Sequence, residues 1–430
     1  MLTLRARVLT PDPTMARLVD PNPVRWYDDA VVQIDAAGRI SHVGPFDGRD
    51  VDEDVRPGVL MPGFVDGHVH FPQLRIVGSA SGPLLTWLQT STFPEETRFA
   101  DPDHASAVAD RFTATLAASG TTLSFVYSSV HPNAADALFT SLDDRGLRAI
   151  AGPVWMDDSS PDALTHPAHQ TLAAVEALAD RWHGHDDRLQ VAVIPRFALS
   201  CTAESMAQAG ELAQRRDLWV STHLAENVAE CNEAKRRFSA GDYLSIYEDA
   251  GLVHRKSVFA HCIHLSDGAW DRFASAGAVV AHCPDSNAFL GSGNMKTASV
   301  LDRKIPMVIG TDVAAGRSFR VPRILSAAYD NALATGLSVT PASLLWWGTR
   351  TGAVALGHDH LGAVLTGFDA DMVLVDVPDW VDDADGVLAW TLFWADAPWP
   401  RKTWVRGKLV WDREAWRRAG GVFPWHKYSS

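Results

Sequence analysis

A series of eight short β-like runs, separated by helix-like segments, constrains the fold of this chain more than any other feature. The runs are rich in apolar and β-branched residues, and segments such as residues 101–119, 172–182 and 203–216 lie between them. Strands that alternate with helices predict a parallel sheet, and eight such units predict an α/β fold of the (β/α)8 TIM-type barrel class. The runs are GFVDGHVHF (63–71), TTLSFVY (121–127), RAIAGPVW (148–155), QVAVIPRFAL (190–199), LWVSTHLAEN (218–227), SVFAHCIHL (257–265), AVVAHCPDSN (278–287) and MVIGTDV (307–313).

The two ends of the chain have a different texture, with β-like runs that no helix separates. VVQID (31–35) and ISHVG (40–44) lie near the start, and MVLVDV (372–377) and KTWVRGKLVW (402–411) lie near the end. The last of these predicts a hairpin that turns near Arg406 and Gly407. We predict that both ends form one small β-sandwich domain, residues 1–58 and 360–430, around a barrel at residues 59–359.

Composition narrows the possible partners and the cellular compartment. The 430 residues carry 38 Lys and Arg against 52 Asp and Glu, a net charge of −14 that disfavours nucleic acid and anionic membranes. Arg5 and Arg7 interrupt the first apolar residues, so no signal peptide is predicted. The apolar stretch at residues 387–395 is about half of the ~20 residues that a membrane span requires. The four cysteines show no C-x-x-C spacing. These observations predict a soluble cytoplasmic protein and leave small or neutral substrates open.

Histidines and carboxylates lie at the ends of predicted strands one, five, six and eight. Active sites of such barrels lie at the carboxyl ends of the strands, so these side chains are expected to meet. Residues i and i+2 of a strand point to the same side, so the two imidazoles of the first run project together into the barrel mouth. The residues are His68 and His70, then His223 and Glu226, then His261, and finally Asp312.

Three imidazoles and a carboxylate form an N3O ligand set with room for water, typical of a catalytic zinc or iron site. An isolated H-x-H is a weak signal, and Thr-Asp after a strand is most often a helix cap. The coincidence of all these residues at one end of one barrel nevertheless indicates a metal site. His261 is either a ligand or a hydrogen-bond partner, and the spacing does not choose between the two.

A metal at this site would activate water for attack on an sp2 carbon, which predicts metal-assisted hydrolysis. Asp312 beside the metal can accept the proton of that water. Glu226 can carry a proton to the ring nitrogen and the leaving group of the substrate. His261 can orient the nucleophile or polarise the attacked atom.

Several stretches resemble the amidohydrolase superfamily, in its branch of aminopyrimidine and aminopurine deaminases and chlorohydrolases. These stretches are PGFVDGHVH, THLAE, AHCPDSN and GTDV. Three more, His70-Phe71-Pro72-Gln73, LLTWLQTSTFPEE (84–96) and PRFALSC (195–201), are similar to the guanine deaminase family. The resemblance covers nearly the whole chain and implies hydrolytic deamination of guanine to xanthine and ammonia.

The resemblance also implies site residues. It places one divalent metal per chain, zinc with iron as the alternative, on His68, His70, His223 and Asp312. It implies that Gln73, Arg196 and Phe197 hold the purine, because an Arg fork and a Gln amide can read its polar edge. An aromatic ring such as Phe197 or Trp87 can stack on the purine face. A homodimer is expected for this family.

Two alternatives to this function stay open. One is deamination or dechlorination of another heterocycle, such as an s-triazine, 8-oxoguanine or a pterin. The other is a barrel without catalysis that serves as a binding or scaffold protein, in which at least one metal ligand is expected to be missing. Every predicted ligand is present here, as is Glu226.

Overall fold

The computed structural model describes residues 1–15, 22–79 and 82–420, so the parts of the predicted small domain at residues 16–21 and 421–430 lie outside the described residues. The described strands, in chain order, are β1 (Leu2–Pro11), β2 (Val24–Ile34), β3 (Ile40–Pro45), β4 (Glu53–Pro62), β5 (Phe64–His70), β6 (Thr121–Tyr127), β7 (Arg148–Gly152), β8 (Val154–Trp155), β9 (Leu189–Pro195), β10 (Trp219–Leu224), β11 (Ser257–His261), β12 (Val279–His282), β13 (Met307–Ile309), β14 (Met372–Val375), β15 (Lys402–Val405) and β16 (Lys408–Asp412).

Helices connect the central strands. The described α-helices are α1 (Leu84–Trp87), α2 (Phe93–Glu96), α3 (Pro102–Ser119), α4 (Pro132–Arg145), α5 (Ala168–Trp182), α6 (Ala203–Arg216), α7 (Val228–Phe238), α8 (Tyr243–Asp249), α9 (Asp267–Ala276), α10 (Pro284–Phe289), α11 (Thr297–Asp302), α12 (Val321–Ala334), α13 (Pro341–Trp346), α14 (Gly352–Ala355), α15 (Ala384–Phe393) and α16 (Arg413–Arg418). None of the helices in the described ranges is both long enough and apolar enough for a membrane span.

The central strands form the predicted parallel barrel. Among the described residues its order is β5-β6-β7-β9-β10-β11-β12-β13, and the short β8 also pairs with β9. Backbone hydrogen bonds join the first and last strands beyond the end of β13: Asp312 N donates to His68 O (2.8 Å), and His70 N donates to Val313 O (3.1 Å). The predicted (β/α)8 fold class is therefore confirmed.

The small β domain built from both chain ends is also present. Its strands join into one mixed sheet in the order β16-β15-β14-β4-β1-β2-β3 around an apolar core of its own. The reason is that β1 pairs with β2 on one edge and, in parallel, with β4 on the other. Alternate residues of β14 serve two cores: Val373 and Val375 pack against the barrel, whereas Met372 and Leu374 pack within the sheet domain.

The exact limits of the two domains remain predictions. Strand β4 belongs to the sheet as far as Pro62, beyond the predicted limit at residues 58/59, and it connects directly to barrel strand β5. We propose the division predicted from the sequence, with residues 1–58 and 360–430 in the small domain and residues 59–359 in the barrel.

A buried ion-pair network fastens the barrel to the sheet domain. Arg148 at the start of β7 donates from Nε to Asp371 Oδ2 (3.0 Å) and from Nη2 to Asp369 Oδ2 (2.7 Å). The Arg148 side chain is 4% exposed, and Asp371 precedes β14 of the sheet. A buried charge that loses its partner is strongly destabilising, so this network should matter more than surface ion pairs.

We predict that Arg148→Ala lowers the free energy of unfolding by about 3–5 kcal/mol, because the buried carboxylate of Asp371 and the partly exposed one of Asp369 lose their shared partner. Chemical denaturation followed by circular dichroism measures this change. Arg236→Ala is the matched control, since it removes an exposed ion pair with Glu233 and should leave the midpoint unchanged. Equal midpoints for wild type and Arg148→Ala would contradict the role of this network.

Candidate functional site

A cavity opens at the carboxyl ends of the barrel strands, where the active sites of such barrels lie. Residues of the helical segment after β5, including Leu84 and Leu88, form part of its wall. The predicted metal and catalytic residues that line the cavity are His70, His223, Glu226, His261 and Asp312. The predicted substrate residues that line it are Gln73, Trp87, Arg196 and Phe197.

Four of the predicted residues form a tight cluster of potential metal ligands. His70 Nε2 lies 3.2 Å from His68 Nε2 and 3.3 Å from His223 Nε2. Asp312 Oδ1 lies 3.4 Å from His68 Nε2 and 3.3 Å from His70 Nε2. The four ligand atoms all fall within 4.8 Å of one another. The structure therefore brings together atoms that are far apart in the sequence and that converge on one point.

The strands and the turns after them aim these side chains. His68 and His70 belong to β5 and His223 to β10, whereas Asp312 follows β13. Asp312 and His261 have positive backbone φ angles of 48° and 72°, a region that residues other than glycine rarely adopt. Such strained backbone at the ends of strands is typical of functional sites.

Neighbouring groups fix the orientation of the imidazoles. His223 Nδ1 donates to the backbone oxygen of Arg196 (2.6 Å). The lone pair of the imidazole is therefore on Nε2, which faces the cluster. His261 Nδ1 lies 2.8 Å from Asn287 Oδ1, and its Nε2 has no hydrogen-bond partner among the described residues. That buried nitrogen lies 3.4 Å from Glu226 Oε2 and 3.9 Å from Asp312 Oδ2.

The ionisation of the cluster suits a cation. Burial lowers the pKa of His70 to about 4, so its imidazole is neutral near pH 7 and its lone pair is available. Burial acts to raise the pKa of Asp312, but hydrogen bonds with His68 and His70 hold it well below its ordinary value. Three neutral imidazoles and one ionised carboxylate form a donor set that fits a divalent transition metal.

Glu226 lies beside this cluster in an environment that favours its protonated form. It is 2% exposed, and Ser292 Oγ donates to its Oε1 (3.2 Å). Burial, together with the nearby charge of Asp312, raises the pKa of Glu226 to about 8. Its backbone N–H donates to Glu230 Oε2 (3.0 Å), which holds the turn after β10. Glu226 can therefore carry a proton at neutral pH.

The other predicted residues form a polar wall with an aromatic neighbour. Arg196 follows β9, and Gln73 lies in the 3-10 segment Phe71–Ile76. Both contact the carboxylate of Glu96, a residue that the sequence analysis quoted within TFPEE without assigning it a role. Trp87 Nε1 donates to Ser79 O (3.0 Å), which fixes the indole in the cavity wall.

Asp66 is a second residue that the sequence analysis missed. Its Oδ1 accepts from the backbone N–H of Thr311 (3.0 Å) and of His68 (3.2 Å), and its Oδ2 accepts from Thr311 Oγ1 (2.5 Å). Asp66 thus connects strand β5 to the segment that carries Asp312. Its place two residues before His68, on the same face of the strand, is the signal that could have identified it.

Comparison with known proteins agrees with this geometry. The model of the amidohydrolase family matches residues 59–410. Guanine deaminase of Escherichia coli (strain K12) is 38% identical over 326 residues, which cover 75% of this chain and 74% of that protein.

Solved structures of guanine deaminases have the same fold as this chain. E. coli guanine deaminase superposes with a TM-score of 0.91 at 32% identity, over 96% of this chain and 100% of that chain. Guanine deaminase from C. acetobutylicum, with bound guanine in its active site, superposes with a TM-score of 0.88 at 25% identity, over 95% of this chain and 100% of that chain. With its barrel, its cluster of three histidines and an aspartate, and these likenesses, the chain belongs to the amidohydrolase family, in the same group as the guanine deaminases.

Proposed function

We propose that this protein is a guanine deaminase, which hydrolyses guanine to xanthine and ammonia. The observation that carries the proposal is the cavity in which the metal-ligand cluster, the protonated Glu226 and the polar wall of Gln73 and Arg196 meet. The guanine-bound structure from C. acetobutylicum supports a purine as the substrate. Its fold matches that of this chain over nearly the full length.

We propose zinc as the metal, one ion per chain, held by His68, His70, His223 and Asp312. When bound, the metal supplies Lewis-acid activation of water near neutral pH. Imidazole and carboxylate ligands suit zinc, and iron is the alternative. His261, which lies outside the cluster of four, is proposed as a hydrogen-bond partner that orients the attacking water through its free Nε2.

The side chains around the cavity divide the proton transfers between them. Asp312 is ionised because its pKa is held low, so its carboxylate is in the form that can accept a proton from the attacking water. Glu226 delivers its proton to the ring nitrogen beside carbon 2 of the purine. A bond from the water oxygen to carbon 2 forms, the proton accepted by Asp312 passes to the exocyclic amine, and the bond from carbon 2 to that nitrogen breaks to release ammonia. The proton from Glu226 stays on the ring nitrogen, and the second proton of the water returns to Glu226 as the oxygen becomes a carbonyl of xanthine.

The polar wall and the aromatic residues hold the purine for this reaction. Arg196 and Gln73 present N–H donors to its carbonyl edge, and Phe197 or Trp87 covers its face. The surroundings are buried, so each of these contacts discriminates strongly between substrates. The partner is a small-molecule purine, and we propose that the protein works as a homodimer in the cytoplasm without nucleic acid or membrane partners.

The direct test adds guanine to the purified, metal-loaded protein. Ammonia release together with the ultraviolet change from guanine to xanthine, both abolished by a chelator, is the expected result. Metal in the protein without turnover of guanine would refute this substrate and favour another amino- or chloro-heterocycle.

We predict that Arg196→Ala raises the KM for guanine about 10²-fold, because a buried donor to the substrate is lost. Steady-state kinetics with guanine measure this change. Arg181→Ala is the control, because this arginine is 58% exposed and pairs with Asp136 on the barrel exterior. A fall in kcat at constant KM would instead place Arg196 in the chemical step.

A further inference from the structure

One buried carboxylate organises the polar wall of the cavity. Glu96, 1% exposed at the end of α2, accepts from Arg196 Nη1 (2.5 Å) and from Arg196 Nη2 (3.0 Å). It also accepts from Gln73 Nε2 (3.0 Å). One carboxylate thus holds both side chains that are proposed to bind the purine, although Arg196 lies one hundred residues further along the chain than Glu96.

These contacts fix which way the Gln73 amide is turned. Its Oε1 accepts from the backbone N–H of Ala314 (3.1 Å), while its Nε2 donates to Glu96. The reverse orientation would set the amide oxygen against a carboxylate and the amide nitrogen against an N–H, which removes both hydrogen bonds. Gln73 therefore has the second N–H of its amide to offer as a donor, while its Oε1 is already bonded to the backbone N–H of Ala314.

The same carboxylate limits what Arg196 can offer. Both terminal nitrogens of its guanidinium are engaged by Glu96, in the two-pronged geometry that Arg and carboxylates favour. The guanidinium has no acceptor at all, and its remaining N–H groups are donors. The buried carboxylate also compensates the buried positive charge, so the wall does not require an anionic substrate.

We propose that Glu96 is a positioning residue that sets the substrate specificity of the cavity. It fixes the orientation in which Gln73 and Arg196 present N–H donors, which selects a purine with a carbonyl oxygen at carbon 6 and disfavours one with an amino group there. This inference rests on the proposed function and deepens it. It names the substituent at carbon 6 as the group that the wall recognises, and Glu96 as the residue that orients the wall.

The test compares guanine with 2,6-diaminopurine, which carries an amino group where guanine carries its carbonyl. Both have the exocyclic amine at carbon 2, so both can release ammonia by the same exchange of nitrogen for water oxygen. We expect wild type to prefer guanine by a large factor in kcat/KM. In Glu96→Gln, the neutral amide has only one acceptor end, so Gln73 and Arg196 lose their fixed orientation.

For Glu96→Gln we expect the KM for guanine to rise about 10–100-fold, the cost of a lost charge-assisted hydrogen bond, with a smaller fall in kcat. The preference for guanine over 2,6-diaminopurine should fall by a similar factor. Glu96→Asp keeps the charged acceptor and should restore part of the preference. A residue that only stabilised the fold would lower activity towards both purines alike.

Glu95→Gln is the matched control. Glu95 is the adjacent residue, but its carboxylate faces Arg75 (3.3 Å), Arg98 (3.4 Å) and His104 (3.6 Å) instead of the wall. Its kinetics with both purines should match those of wild type. Thermal melting of each variant shows whether it is folded, and Glu96→Asp carries the test if Glu96→Gln is not.

Hypoxanthine gives a readout that does not depend on turnover, because it has the carbonyl at carbon 6 but no amine to lose. Its Kd, measured by calorimetry, should rise about 10–100-fold in Glu96→Gln and less in Glu96→Asp. Unchanged hypoxanthine affinity and unchanged discrimination in both variants would overturn the role of Glu96. A wild-type protein that releases no ammonia from guanine would overturn the proposed function instead, while the hypoxanthine measurement would still decide the role of Glu96.

Discussion

Replacing Glu226 with glutamine should lower kcat for guanine by about 10²–10⁴-fold, the usual contribution of general acid–base catalysis. An amide has nearly the same shape as a protonated carboxyl group but cannot release the proton that the purine ring must receive. The hydrogen bond with Ser292 Oγ and the backbone contact of residue 226 with Glu230 do not depend on that proton. The Kd for guanine should therefore stay close to the wild-type value.

Initial rates from the ultraviolet change, together with Kd from calorimetry, separate the two effects. Glu233→Gln is the control: it removes a carboxylate on helix α7, which begins two residues after Glu226, but the Glu233 side chain is exposed and pairs with Arg236. Turnover near the wild-type rate in Glu226→Gln would exclude Glu226 as the proton carrier. Loss of guanine binding with unchanged kcat would make it a binding residue.

Replacing His68 with alanine should deplete the protein of metal and, with it, of activity. His68 is fully buried, and its Nε2 lies 3.4 Å from Asp312 Oδ1 and 3.2 Å from His70 Nε2. Without it, three ligand atoms remain, and the small side chain leaves a gap where the imidazole stood. Elemental analysis should find about one metal per wild-type chain and far less in the variant.

The control and a second variant make this result specific. His185→Ala removes a half-exposed histidine that pairs with Asp143 and should retain the metal. His68→Asn keeps a polar side chain of moderate size, so it tests the ligand role if the alanine variant does not fold. One metal per chain in both His68 variants would remove His68 from the ligand set.

The barrel could be predicted from the sequence because local sequence patterns indicate where its strands begin and end. TTLSFVY coincides with β6 over residues 121–127, and the predicted hairpin at residues 402–411 turns between β15 and β16 as expected. RAIAGPVW, by contrast, was predicted as one run and forms two strands, β7 and β8. Pro153 between them has no N–H to donate to a ladder.

The features that sequence reasoning missed depend on contacts between distant segments. The role of Glu96 exists only because Arg196 lies beside it in space, and TFPEE contains two glutamates whose local sequence does not tell them apart. The strand order within the small domain likewise depends on the parallel pairing of β1 with β4, which alternation within each strand does not encode. The polar residues at the strand ends, in contrast, could be predicted without knowledge of contacts between distant segments.

The closure of the barrel has a consequence for how the protein is made. The hydrogen bonds that join β5 to the segment after β13 involve the backbone of His68, His70 and Asp312 themselves. A nascent chain that has reached only residue 300 contains both histidines but has neither the closing strand nor the carboxylate. Closure of the barrel and assembly of the reactive centre thus depend on the same segment, residues 307–313, and a chain truncated before that segment cannot carry the complete site.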